Sequence, residues 1–280
     1  MKICIRAHDL GVKGTEAILR RLTDLDIDGV QMVCYKAYDD VAYAPGAITA
    51  ERAAEIAAQF AAAGKIIPLI GAYFNPVHSN KEKAQRCEGI FGEYLKVANT
   101  MGCGIVGSET GSFNDDKWTY HPQNRTEEAL RTVAETFVRL CDVAAEHGAV
   151  VAMEGAAGHV CHDPDALDKV QKWMGKENLR VIFDLYNYMD QDNQFDYLKI
   201  LDHGLELFGD RILLFHMKDC LLSEGEAPKQ VNYGTGHLDQ VEILRRIKAH
   251  NPDAILVLEG TTGEGIQFAV QKIKEIWECV

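Results

Sequence analysis

Four apolar runs in the second half of the chain, "VVAMEG", "VIFDLYNY", "LLFHMKDC" and "LVLEGTTG", each close on a side chain that binds cations or moves protons. The closing residues are Glu154, Asp184, His216 and Glu259, separated by 30, 32 and 43 residues. A carboxylate at the end of a core strand turns to solvent, pairs with a cation or takes part in chemistry. Three carboxylates brought together raise one another's pKa unless a cation neutralises them. Adding one imidazole gives a ligand set suited to a hard or borderline divalent ion, Mn2+ first and otherwise Mg2+, Co2+ or Zn2+. Each residue alone has a plainer reading. Glu154 and Glu259 fit solvated or ion-paired carboxylates, Asp184 a turn cap, and His216 a hydrogen-bonded core histidine. Four in register at successive strand ends point to one site.

The elements that must position them alternate along the whole chain. Strand-like runs are read at 2–7, 28–34, 65–73, 104–109, 149–154, 179–184, 211–217 and 254–260. Helical spacing is read at 14–25, 49–64, 80–100, 126–147, 164–175, 194–208, 238–250 and 263–278. Thr126 is the expected N-cap of its helix, and Gly64, Gly148 and Gly175 stand where helices should stop. Eight βα units in 280 residues, with no GxGxxG after the first strand and no linker, predict an α/β chain folded as a single (β/α)8 barrel over residues 1–280. In such barrels chemistry sits at the carboxyl ends of the strands, where the four residues fall.

Composition narrows the function classes. A net charge of −13 argues against a nucleic-acid partner, because phosphate backbones are held mainly by Lys and Arg. No stretch has the roughly 20 apolar residues that span a bilayer, so no membrane partner is expected. "MKICIRAHDL" is too short and too polar for a secretory signal, and the eight scattered cysteines form no CxxC pair. A reducing cytoplasm is the expected location.

The motifs "VAMEG", "FDLYN", "LFHMKD", "GTGHLD" and "LVLEG" resemble those of the xylose-isomerase-like sugar phosphate isomerases and epimerases, metal-dependent TIM barrels. The resemblance implies metal ligation by Glu154, Asp184, His216 and Glu259, with Glu154 and Glu259 as the acid/base pair on opposite sides of the ion. It implies a sugar or polyol substrate and, as is common in the family, a homo-oligomer. The sequence departs from the pattern at Asn187, where many members have a substrate-contacting histidine; an amide can bind a hydroxyl but cannot carry a proton. The usual ExH after strand five is here "EGAAGH", leaving His159 or His162 as a substitute.

Further residues are expected around the substrate. Lys218 would hold a substrate oxygen, offset the carboxylates or lie on the surface. Glu109 would sit next to the metal or bind the turn after it. His8, Tyr35 and Tyr73 follow the first three strands, where they would line the mouth or pack. Asp219 is expected to support the barrel wall or the next loop. The glycines of "NYGTGHLD" would bind a phosphate or make a tight turn, and no Arg stands nearby, so an unphosphorylated substrate fits as well.

The expected reaction is proton transfer beside a carbonyl, giving isomerisation or epimerisation of a sugar through a metal-stabilised enediolate. The alternative on the same scaffold is dehydration of a cyclic polyol ketone such as an inosose, with His159 or His162 as the acid. A DNA-repair endonuclease-like barrel would need a three-metal cluster and a less acidic chain.

Overall fold

The computed structural model describes all 280 residues. The chain opens with β1 (Lys2–Arg6), α1 (Thr15–Asp24), β2 (Gly29–Met32), a one-turn α2 (Cys34–Ala37) and α3 (Ala50–Ala62). It continues through β3 (Ile66–Gly71), α4 (Lys81–Val97), β4 (Ile105–Glu109), α5 (Glu127–Glu146), β5 (Val150–Glu154) and α6 (Pro164–Met174). The last part holds β6 (Leu179–Asp184), α7 (Tyr197–Phe208), β7 (Ile212–Met217), β8 (Asp219–Leu221), β9 (Lys229–Val231), α8 (Gln240–His250), β10 (Ile255–Leu258) and α9 (Gly265–Cys279). Eight parallel strands close a barrel in the order β1, β10, β7, β6, β5, β4, β3, β2, with β1 paired to both β2 and β10. This is the (β/α)8 TIM barrel expected from the alternation. The short antiparallel pair β8 and β9 is an addition to it, folded over the end of β7.

Helix starts follow the capping chemistry. Thr126 Oγ1 accepts from Ala129 N at 3.2 Å, and Asp163 caps α6 with Pro164 in the first turn. Thr49, which forms no capping box, still accepts from Arg52 N at 3.2 Å and caps α3. Each such cap contributes about 1 kcal/mol. Gly175 ends α6 at φ 59°, a left-handed backbone that costs glycine least.

Side chains alternate across a strand, and this alternation builds the interior. Cys4, Leu69, Ala152, Ile182, Leu214 and Val257 point inward and form a closed apolar cluster inside the barrel. A separate core of 74 buried residues lies mainly between the strands and the helices. Two residues beyond five of those six inward positions come Arg6, Glu154, Asp184, His216 and Glu259. The apolar layer is thus the floor of a polar layer at the carboxyl ends of the strands.

Asp184 follows Phe183, whose ring is held on the outer side of β6 by Tyr188, Phe208 and Phe215 at centroid distances of 5.7–6.1 Å. Gly204 of α7 lies flat on that ring: a Cβ there would fall 2.1 Å from Phe183 Cε2. Gly204→Ala is therefore expected to lower stability by about 1–3 kcal/mol through overpacking, read as a shift in the urea midpoint at unchanged m-value.

Candidate metal centre

Glu154 and Asp184 are the last residues of β5 and β6, His216 is the penultimate residue of β7, and Glu259 directly follows β10. Asp184 pairs in register with His216, and His216 with Val257. Glu154 pairs with Ile182, so Glu154 and Asp184, like His216 and Glu259, are offset by two residues, and the tilt of the barrel strands makes up that stagger: one ligand atom from each lies within 4.8 Å of the others. Glu154, Asp184 and His216 are buried; Glu259 keeps 13% side-chain exposure toward the mouth. His216 Nδ1 faces the carboxylates, at 3.1 Å from Glu154 Oε1, 3.0 Å from Glu259 Oε2 and 3.5 Å from Asp184 Oδ2. Its other nitrogen, Nε2, is 2.7 Å from Gln31 Oε1. Gln31 in turn donates from Nε2 to Tyr73 Oη at 2.6 Å, which orients the amide so that its oxygen accepts from His216. The Nδ1 lone pair is thereby left for a cation.

Two cations of the chain meet the carboxylates. Lys218 Nζ is 2.8 Å from both Asp184 Oδ2 and Glu259 Oε1, and Arg6 Nη1 is 2.9 Å from Glu259 Oε1. Asp184 Oδ2, fully buried, has this ion pair with Lys218 but no hydrogen bond of good direction. Three carboxylates and one imidazole nitrogen within such a span fit a divalent ion with oxygen-rich ligation. The four residues would hold it, leaving coordination positions for a substrate.

The charges separate the two glutamates. Burial pushes Glu154 up to about 7, against the opposing pull of His216. Burial also acts to raise Glu259, but Lys218, His216 and Arg6 overrule it and hold that carboxyl well below the usual range. His216, which burial alone would lower, is raised well above the ordinary imidazole range by Glu154 and Glu259.

Above the cage opens a cavity of 340 Å3 lined by Arg6, His8, Tyr35, Lys36, Tyr73, Glu109, Trp118, Glu154 and Glu259. His8, Tyr35, Tyr73 and Glu109 all stand on its wall. Glu109 stands in register beside Glu154, outside the cage of four. His8 is lowered to about 4 by burial and by Arg6, so it faces the cavity as a neutral imidazole. Asn187 is placed behind the glutamate: its Nδ2 donates to Glu154 Oε1 at 2.7 Å and its Oδ1 accepts from Lys218 at 2.9 Å. Lys218 is buried and offsets the carboxylates. His159 is not on the cavity wall; its Nε2 lies 3.1 Å from the carbonyl oxygen of Trp118, behind that residue. His162 is also off the wall, its Nδ1 3.0 Å from Val160 O. Asp219 holds the glycine loop, accepting from Gly234 N at 3.0 Å and Gly236 N at 2.9 Å. Those amides are thus occupied by a carboxylate of the chain, and the loop serves as a turn. Sequence reasoning missed Arg6, Gln31, Lys36 and Trp118.

Cation binding displaces protons from Glu154 and His216, so affinity must rise with pH. Below about pH 7 the association constant for Mn2+ is expected to fall by about tenfold per pH unit for each displaced proton. Calorimetric titration in buffers of different ionisation enthalpy measures the released protons. An affinity unchanged between pH 5.5 and 8 would contradict the assignment of these ligands.

The fold agrees with comparisons to known proteins. A D-tagatose 3-epimerase-like protein superposes with a TM-score of 0.75 at 16% identity, covering 100% of this chain and 98% of that one. The 3-keto-D-glucoside 4-epimerase of E. coli gives 0.72 at 16%, covering 100% of both chains. A xylose isomerase-like TIM barrel protein from Mycobacterium smegmatis, in complex with magnesium, gives 0.72 at 14%, covering 99% of this chain and 95% of that one. Among curated protein sequences none matches this one. No helix is long and apolar enough to cross a membrane. The family model described as xylose isomerase-like TIM barrel matches residues 19–276, and the chain belongs to that family.

Proposed function

We propose that the chain is a divalent-metal-dependent epimerase of a keto sugar, exchanging the proton on the carbon beside the carbonyl. One observation carries this reading: of the four cage residues, only Glu154 and Glu259 also line the mouth cavity. They stand at the two ends of the arc β5, β6, β7, β10, so a sugar seated between them meets a carboxylate on either side. A divalent ion, manganese best matching three oxygen donors and one nitrogen, would polarise the carbonyl and its neighbouring hydroxyl and make the adjacent C–H acidic.

The two carboxyls differ as an acid/base pair should. Before the ion binds, Lys218, His216 and Arg6 favour an ionised Glu259 while burial raises Glu154 to about 7, so Glu259 would be the one to take the proton and Glu154, the more readily protonated of the two, the one to give it back. Delivery to the opposite face of the same carbon inverts it, and flanking carboxylates favour that outcome over transfer to the next carbon. Asn187 keeps Glu154 aimed by donating to Oε1. Dehydration would need an acid for the leaving hydroxide, and the positions of His159 and His162 behind the wall favour epimerisation over it. The occupied amides of Gly234 and Gly236 favour an unphosphorylated sugar.

Glu154→Gln and Glu259→Gln keep an oxygen ligand and remove the proton carrier. Both are expected to retain manganese by elemental analysis and to slow deuterium wash-in from D2O into keto sugars by about 10²–10⁴-fold. Wash-in at the wild-type rate in both variants would overturn the reading.

A further inference from the structure

A second cavity, of 680 Å3, opens beside the mouth, and Trp118 lines both. Its other walls include Tyr120 and Arg125 from the connection between β4 and α5, and Met189, Asp190 and Asp192 from the connection between β6 and α7. The proposed reaction uses none of these residues. Tyr120 is 56% exposed, a large aromatic left toward solvent, with the Arg125 guanidinium 5.6 Å from its ring centre.

The wall between the cavities is held in an unfavourable conformation. Trp118 has φ 53° and ψ 35°, a left-handed backbone that a bulky side chain adopts only when its surroundings hold it there. Those surroundings are visible: His159 lies 3.1 Å from the Trp118 carbonyl and packs its ring edge-on against the indole at 5.5 Å. Below, Gly158 packs against the backbone of Thr119 and Tyr120, where a Cβ would approach within 3.3 Å of Tyr120 N. Asn124 Nδ2 donates to Gly158 O at 2.8 Å, and Arg125 Nη2 to Ala157 O at 3.1 Å. The loop that carries Trp118 and Tyr120 is thus tied to the loop that follows Glu154.

The lining chemistry selects among occupants. Carboxylates at Asp190 and Asp192 oppose a phosphate, and an entirely apolar group would cover Asp192 and the donors that Arg125 does not spend on Ala157 O without hydrogen-bonding to them. A sugar ring meets both demands, since its C–H faces stack on Trp or Tyr while its hydroxyls both donate to carboxylates and accept from Arg. We propose that this cavity is a subsite for a second sugar residue, so that the substrate is a keto-disaccharide or keto-glycoside whose reacting ring sits over the cage and whose other ring passes Trp118. The inference rests on the epimerase reading for the reacting ring only.

The test uses the full chain loaded with Mn2+ and titrated calorimetrically with D-fructose and with lactulose, maltulose and isomaltulose, each a ketose carrying a second hexose. At least one disaccharide is expected to bind about tenfold or more tightly than D-fructose, a gap of about 1.4 kcal/mol. Tyr120→Ala and Asp192→Ala should each close most of the gap while leaving fructose affinity and manganese content unchanged. Failure of all three disaccharides to bind, affinities equal to that of fructose, or a gap that survives both substitutions would overturn the subsite. Deuterium wash-in on the same sugars separates the two readings: a disaccharide preference without exchange sinks the epimerase and leaves the subsite. Exchange without preference does the reverse.

Discussion

Everything at the carboxyl end of the barrel depends on keeping three carboxylates together out of water. At separations below 4.8 Å, each pair repels by roughly 3–4 kcal/mol at an effective dielectric near 20. Burial adds a desolvation cost to every ionised group. Lys218 answers Asp184 and Glu259, and Arg6 answers Glu259 alone. With His216 neutral, those two cations leave the cluster with one negative charge in excess, and no Lys or Arg is paired with Glu154. Burial favours a protonated Glu154, and the carboxylates Glu154 and Glu259 favour a protonated His216. A divalent ion relieves the excess without protons, and frees Glu154 to exchange one.

The barrel supplies the geometry by repetition. An inward residue in the apolar layer is followed two positions later by an inward residue in the polar layer, because side chains in a strand return to the same face with period two. Ala152 leads to Glu154, Ile182 to Asp184, Leu214 to His216 and Val257 to Glu259. The apolar layer closes the cage from below, and the cavity opens above it. Outside the barrel, packing such as that of Gly204 on Phe183 fixes the strand that carries Asp184. The hydrogen bonds of Gln31 and Asn187 then fix His216 and Glu154 against rotation.

Much of this is legible in the sequence. The ligand quartet announces itself because each member ends an apolar run, and the spacing of one βα unit implies convergence. Arg6 obeys the same rule two residues after Cys4, yet a lone arginine at the end of the first strand reads as a boundary to solvent. Gln31 interrupts the apolar run "GVQMVC", but its partner His216 is 185 residues away and nothing local joins them. Trp118 lies in a long connection without periodicity, so neither its strained backbone nor its place between two cavities leaves a pattern. β8 and β9 are three residues each, too short for an alternation to be seen. Asn187 was expected at the substrate, and both ends of its amide engage the chain instead, a fact that depends on where Lys218 reaches.

The proposal of a shared cation is tested most directly by anomalous diffraction from crystals grown with Mn2+, with data collected on either side of the manganese edge. The account predicts one strong peak per chain, about 2.0–2.3 Å from an oxygen of Glu154, Asp184 and Glu259 and from Nδ1 of His216. A peak at another location, or density in which Lys218 Nζ still bridges Asp184 and Glu259 at saturating manganese, would contradict it.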